Sequence, residues 1–77
     1  MKLTIKYFGL LAEVTGCEEE TLTFQKGTVA DLLSELYKRY PGLKDKDFQL
    51  AHALEIADEN TKITDSEIAL LPPFSGG

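Results

Sequence analysis

The sequence predicts a small α+β domain, and three observations lead to that fold class. The chain has 77 residues, which is the length of one domain. Apolar residues in segment 28–40 recur with the period of an amphipathic helix, whereas short segments on both sides of it alternate between apolar and polar residues as strands do. Apolar residues make up 43% and charged residues 27% of the chain, so the composition is typical of a folded globule rather than a disordered segment.

The part of the chain before the helix is expected to form two strands. The predicted segments are a strand over 2–8, a connection with room for one or two helical turns over 9–16, a second strand over 21–24 and a turn over 25–27. In the first strand Leu3, Ile5 and Tyr7 fall on one side, and Phe8 interrupts the otherwise polar opposite side. The acidic run 18–20 leads into the second strand.

The helix has clear start and stop signals. Thr28 is a good N-cap residue, and Asp31 three positions later completes a capping-box-like start. Lys38 and Arg39 suit the carboxyl end of a helix dipole, and Pro41-Gly42 ends the helix. The apolar stripe that would face the core consists of Val29, Leu32, Leu33, Leu36, Tyr37 and Tyr40.

The part of the chain after the helix is expected to form two more strands. The predicted segments are a charged loop over 43–48, a strand over 49–56, a turn over 58–60, a polar connector over 62–66 and a final strand over 67–71. The alternation places Leu50, His52, Leu54 and Ile56 on one face of strand 49–56, although the alanines between them leave a helix possible. Pro72-Pro73 ends the last strand.

A ββαββ chain of this size has few stable arrangements. One helix can cover only one face of a single mixed sheet. A hairpin, a crossing helix and a last strand beside the first give a β-grasp fold, as in ubiquitin. We therefore expect a β-grasp domain over 1–73, followed by a flexible Gly-Gly tail over 74–77.

Charge and composition argue against several classes of partner. The chain has 13 acidic and 8 basic residues, a net charge of −5, so neither nucleic acid nor an anionic membrane is an expected partner. The amino terminus lacks the continuous apolar stretch of a signal peptide, and no apolar run is long enough to cross a membrane. The single Cys17 excludes an internal disulfide and favours a cytoplasmic location.

The interior offers little chemistry. His52 has no cysteine or carboxylate array nearby, so no metal site is expected. Cys17 adjoins Glu18, and neighbouring carboxylates make a thiol a poor nucleophile. The run 18–20 is expected to be a solvated loop, with docking on a basic partner as the alternative. No bound cofactor is expected, and an enzyme that acts alone is not expected at this size.

The carboxyl-terminal segment is the strongest functional signal. Pro72-Pro73 is followed by Phe74, Ser75, Gly76 and Gly77. Four extended residues reach roughly 13 Å beyond a fold, and glycines without a Cβ can thread a tunnel that other residues would block. A frayed terminus is the simpler explanation of such an ending. A terminal carboxylate on a thin tether suits activation by another enzyme, because the carboxylate is inert until it becomes an acyl adenylate.

Both ends of the chain resemble one family. MKLTIKYFGLLAEVTG is similar to the opening of the small subunit of molybdopterin synthase, the MoaD-like sulfur carriers, and EIALLPPFSGG is similar to that family's last strand, Pro-Pro and Gly-Gly tail. The resemblance implies that an ATP-dependent enzyme adenylates Gly77 and that a sulfur donor converts it to a thiocarboxylate. The sulfur would pass to a pterin precursor in molybdenum cofactor biosynthesis. The implied partners are the activating enzyme, which uses the ATP, and the large subunit of molybdopterin synthase in a heterotetramer.

The residues implied in these roles lie at the exit of the tail. Gly77 would be the reacting residue, and Gly76, Ser75 and Phe74 would thread the partner's tunnel. Phe8, Leu71 and Phe74 would form an apolar partner-binding patch if the last strand lies beside the first, with core packing as the alternative. The departures of this sequence from the family pattern, among them Gly9, Ala12 and segment 52–55, leave a different client open. The other readings are a sulfur carrier for thiamine or tRNA thiolation, a ubiquitin-like protein modifier, and a plain interaction module.

Overall fold

The computed structural model describes residues 1–25 and 27–73. Its elements in chain order are β1 (Lys2–Tyr7), α1 (Leu10–Thr15), β2 (Glu19–Thr23), α2 (Val29–Arg39), a 3-10 helix (Pro41–Asp45), β3 (Gln49–His52), β4 (Glu55–Ala57) and β5 (Glu67–Leu71). Within the described ranges no helix is long and apolar enough to cross a membrane.

The five strands form one mixed sheet in the order β2-β1-β5-β3-β4. β1 and β5 are parallel neighbours in the middle, with Ile5 opposite Ile68 and Tyr7 opposite Leu70. The other neighbouring pairs are antiparallel. The prediction that the last strand lies beside the first is confirmed, and β5 is thereby surrounded by strands on both sides.

One face of the sheet is covered by α2. The alternation of β1, β3 and β5 directs one set of side chains towards the helix, and the buried core consists of Leu3, Ile5, Tyr7, Leu11, Leu22, Phe24, Val29, Leu32, Leu36, Leu43, Leu50, Ile63, Ile68 and Leu70. The predicted capping box is confirmed, because the backbone N–H of Thr28 donates to Asp31 Oδ2 at 2.9 Å and Thr28 Oγ1 accepts from the backbone N–H of Asp31 at 3.4 Å. The opposite face of the sheet, here called the open face, lies outside this core.

The prediction of one strand over 49–56 is wrong. Ala53 and Leu54 have φ angles of 54° and 66°, and they form a two-residue turn that joins β3 to β4. Two positive φ angles suit the twist of a tight hairpin, but the usual sequence signal is Asn-Gly or Asp-Gly, which this chain lacks. Because of this turn, Leu54 and Ile56 do not continue the buried face of Leu50 and His52. Leu54 and Ile56 are exposed instead.

Two smaller expectations also change. Segment 43–48 was expected to be a loop, but residues 41–45 form a 3-10 helix because Leu43 is drawn into the core, where it is fully buried. The second strand begins at Glu19 rather than Thr21, since its register with β1 continues to the pair Lys6 and Glu19. The helical turns expected between the glycines of segment 9–16 are present as α1.

Candidate docking surface and tail exit

The carboxyl-terminal segment follows the middle strand β5 and leaves it at one edge of the open face. β5 ends at Leu71 and is followed by Pro72-Pro73, which lack the N–H groups needed to extend the sheet ladder. Of the predicted tail residues, Phe74, Ser75, Gly76 and Gly77 lie outside the described residues. The structure therefore fixes where the tail begins, and the roles of these four residues stay predictions.

The turn between β1 and α1 lies directly against the tail exit. The backbone N–H of Phe8 donates to the carbonyl of Leu70 at 3.1 Å, which ties the turn to β5. Gly9 has a φ of +59°, and a Cβ at this position would lie 2.9 Å from Pro72 Cγ. Only glycine accepts both this backbone conformation and this approach. Gly9 therefore contributes to the direction in which the chain leaves the sheet, a role that its sequence position alone did not reveal.

The open face carries apolar side chains from adjacent strands. Phe8 is 44% exposed, and the half-buried Leu71 follows Leu70, the residue that the backbone of Phe8 contacts. The structure thus brings together two of the three residues predicted for the partner-binding patch. Binding of a partner there stays a prediction.

A shallow hollow of about 310 Å³ lies along the same face. We call it the alanine trough, because Ala51 and Ala69 are paired across β3 and β5 and form its floor. Phe8 borders it near the tail exit, and the β3–β4 turn borders it at the other end. Its full lining is Lys6, Phe8, Ala51, Ala53, Leu54, Asp65, Glu67, Ile68 and Ala69.

The border of this face is acidic. Lys6 Nζ lies 3.6 Å from Glu67 Oε1, so the lysine of the trough already has a carboxylate partner. Asp65 is a further acidic residue of the lining, and Glu18 and Glu19 line a second hollow on the other side of Phe8. A protein that docks here is therefore expected to carry basic side chains around an apolar centre.

The prediction that the whole acidic run 18–20 is solvated is wrong. Glu20 accepts hydrogen bonds from the hydroxyls of Tyr7 at 2.5 Å and Tyr40 at 2.6 Å, and Arg39 lies 3.5 Å from its other oxygen. Burial and then the carboxylate of Glu20 raise the pKa of Tyr7, and the hydrogen bond to Glu20 followed by burial raises the pKa of Tyr40. Glu20 thus joins β2 to α2, whereas Glu18 and Glu19 are exposed.

His52 and Cys17 have structural surroundings. The buried His52 accepts two backbone N–H groups at Nε2, from Thr64 at 2.9 Å and from Asp65 at 3.0 Å, so it anchors the loop that precedes β5. Cys17 is half-buried and its Sγ donates to Thr15 Oγ1 at 3.7 Å. No group of three His, Cys, Asp or Glu side chains in the described part of the chain is arranged to hold a metal ion.

Comparison with known proteins identifies the family. The ThiS family model matches residues 5–77, which is nearly the whole chain. The chain belongs to the ThiS family. Among curated proteins, this ThiS-family chain is 34% identical over 83 aligned positions to the human molybdopterin synthase sulfur carrier subunit, covering 99% of this chain and 94% of that protein. The resemblance read from the two ends of the sequence is thereby confirmed.

Solved structures confirm the β-grasp fold. A Pyrococcus furiosus protein described as molybdopterin converting factor subunit 1 superposes with a TM-score of 0.87 at 22% identity, covering 96% of this chain and 99% of that one. SAMP1 from Haloferax volcanii superposes with a TM-score of 0.81 at 27% identity over the full length of both chains. The ThiS-family chain therefore shares its fold with proteins of at least two descriptions.

Proposed function

We propose that the chain is the sulfur-carrier subunit of a molybdopterin synthase. The observation that supports this role best is the full-length similarity to the human sulfur carrier subunit, at 34% identity, in a chain whose central strand leads to Pro72-Pro73 and the Gly-Gly segment. The family match continues to residue 77, so the proposal includes the tail as well as the domain.

The proposed chemistry takes place on the carboxylate of Gly77. An activating enzyme transfers AMP from ATP to this carboxylate and releases pyrophosphate. A sulfide-level sulfur donor then attacks the acyl carbon, so a C–S bond forms, the C–O bond to AMP breaks, and a thiocarboxylate results. The large subunit receives the tail, and the sulfur replaces an oxygen on a carbon of the pterin precursor. Water then cleaves the acyl C–S bond, which transfers the sulfur and regenerates the carboxylate of Gly77. This chain carries the acyl group, and the partners perform each chemical step.

Residues beside the tail exit would hold the domain on its partner while the tail reacts in the partner's active site. Phe8 and Leu71 offer apolar contact beside the exit, and Gly9 allows Pro72 to pass close to the β1–α1 turn. The acidic border would meet basic side chains of the large subunit. Since the pterin substrate carries a phosphate, the groups that bind it are expected on that basic partner rather than on this acidic chain.

The test is intact-protein mass spectrometry after coexpression with the activating enzyme and a sulfur source. The mass should rise by the exchange of one oxygen for sulfur, and deletion of Gly77 should abolish this gain without changing the melting temperature. The matched control, Ser34→Ala on the exposed side of α2, should gain the same mass. The unmodified protein's mass also reports directly whether Gly77 carries the free carboxylate. An unchanged mass in the presence of active partner enzyme would refute the proposal.

A ubiquitin-like protein modifier is the second candidate. It is supported by the full-length superposition on SAMP1 from Haloferax volcanii, which a second structure, at 25% identity and a TM-score of 0.78, describes as small archaeal modifier protein 1. A modifier would appear as conjugates of higher mass on a denaturing gel, joined through Gly77 to lysines. A carrier for thiamine or tRNA thiolation would instead form the thiocarboxylate but copurify with a partner other than the molybdopterin synthase large subunit.

A further inference from the structure

Leu54 occupies an unusual position at the tip of the β3–β4 hairpin. The residue is fully exposed, at 101% of the reference area. Its φ angle is 66°, and the preceding Ala53 has a φ of 54°. Leucine is disfavoured in this backbone region because its Cβ approaches the neighbouring carbonyl oxygen, whereas Asn and Gly enter it readily.

Two unfavourable properties therefore coincide at one residue. The backbone conformation would be better served by Asn or Gly, and the solvent exposure would be better served by a polar side chain. Neither the strained backbone nor the exposed side chain helps to pack the core, since Leu54 lies at the tip of the turn and outside the core. Strained positions of this kind are frequent where a protein contacts a ligand or a partner.

Leu54 lies beside other apolar side chains of the open face. It forms one end of the alanine trough, and Phe8 borders the trough nearer the tail exit. On the adjacent strand β4, Ile56 is 56% exposed and pairs with Ala51 of the trough floor. A protruding leucine beside a hollow with a floor of small side chains suits reciprocal packing. The leucine can insert into a pocket of the partner, and a side chain of the partner can insert into the hollow.

We propose that Leu54 is an apolar anchor for the molybdopterin synthase large subunit. Leu54 inserts into an apolar pocket of that subunit, while an apolar side chain of the subunit fills the alanine trough. The pocket is bordered by Lys or Arg side chains that face Asp65 and Glu67. This inference rests on the proposed function for the identity of the partner, and it adds a specificity-determining residue outside the tail.

The distribution of charge favours a basic partner over a second copy of this chain. Lys6 is paired with Glu67, so Asp65 leaves the border of this end of the face net acidic. Two copies placed face to face would bring these acidic borders together, which is unfavourable. A basic border on the partner would instead be complementary.

The strand register argues against the chain's own tail as the occupant. His52 pairs with Ile68, so the hairpin tip lies beyond the Glu67 end of β5, whereas the tail leaves from the Leu71 end. The tail would have to turn back from Pro73 past the level of Ile68, a path of roughly 17 Å before it met the hairpin tip, whereas four extended residues span only roughly 13 Å. An anchor at one end of the sheet and a tail at the other would fix both the position and the direction of the bound domain.

The test compares Leu54→Asn with Leu54→Met and a control, Ala30→Asn, on the exposed part of α2. The probe is the purified molybdopterin synthase large subunit from the same organism, titrated by calorimetry. Leu54→Asn should bind at least about 10-fold more weakly, because a central apolar contact is lost. Its melting temperature should nevertheless rise by about 4 °C, because Asn relieves the backbone strain. Leu54→Met and Ala30→Asn should bind within about threefold of the wild-type chain.

Different results would overturn different parts of the inference. Equal binding by wild type and Leu54→Asn would refute the anchor and leave the carrier function intact, since thiocarboxylate formation is read separately by mass. An equal loss of affinity in Ala30→Asn would also refute it, because the effect would not depend on the hairpin tip. Absence of binding by the wild-type chain would refute the proposed function, and the anchor with it.

Discussion

Glu20 is expected to be the residue of the acidic run 18–20 on which stability depends. Its carboxylate accepts the hydroxyl protons of Tyr7 and Tyr40, at 2.5 and 2.6 Å, and its side chain is only 18% exposed. The two tyrosines also contact each other edge to face, with ring centroids 6.0 Å apart. Glu20→Ala would remove the acceptor of both hydroxyls while leaving the backbone of β2 in place.

The size of the effect follows from the number and type of the bonds. A hydrogen bond to a charged group contributes about 1.5–3 kcal/mol to stability. Tyr40 is only partly buried, so water can replace part of its bond, and the exposed contact with Arg39 contributes little. We therefore expect Glu20→Ala to lower the free energy of unfolding by about 2–4 kcal/mol, a large part of the stability of a small domain.

Urea denaturation at neutral pH measures this difference, with Glu19→Ala as the matched control. Glu19 precedes Glu20 in the same strand and is exposed, so its substitution should change stability by less than about 0.5 kcal/mol. A double-mutant cycle with Tyr7→Phe should give a coupling energy of at least about 1 kcal/mol. Equal effects of Glu19→Ala and Glu20→Ala would show that the half-buried carboxylate of Glu20 does not join β2 to α2.

Two further predictions concern pH and the tail exit. The pKa values of Tyr7 and Tyr40 are raised in the folded chain by burial and by Glu20, whereas unfolded tyrosines ionise near pH 10.0. The unfolded state therefore loses these protons first, so the contribution of the two tyrosines to stability should be constant below pH 10 and fall above it. Urea unfolding between about pH 8 and 11 should show a smaller fall for Tyr7→Phe. An identical fall would contradict this assignment. Gly9→Ala should destabilise the fold by about 1–3 kcal/mol more than Gly16→Ala, because both glycines have positive φ but only the Cβ at position 9 would meet Pro72. Equal urea midpoints for the two variants would count against the close contact at the tail exit.

Local sequence patterns predicted the elements whose signals lie within a few residues. The capping pair Thr28 and Asp31 and the helical stripe predicted α2, and simple alternation predicted β1 and β5. The Pro72-Pro73 signal predicted the end of β5. The position of β5 beside β1 could be predicted as well, because a chain with two strand pairs and one covering helix has few stable topologies.

The amino-acid sequence by itself thus determined the fold class, the main helix and the family, because periodicity, caps and terminal motifs are local features. Only the tertiary structure decided the contacts between distant segments. The turn at Ala53-Leu54 has no turn-forming residues and is imposed by the pairing of β3 with both β4 and β5. Glu20 meets Tyr40 across 20 positions, and Gly9 meets Pro72 only because β1 and β5 are neighbours. Such contacts depend on the packing of the whole chain, which local signals do not encode.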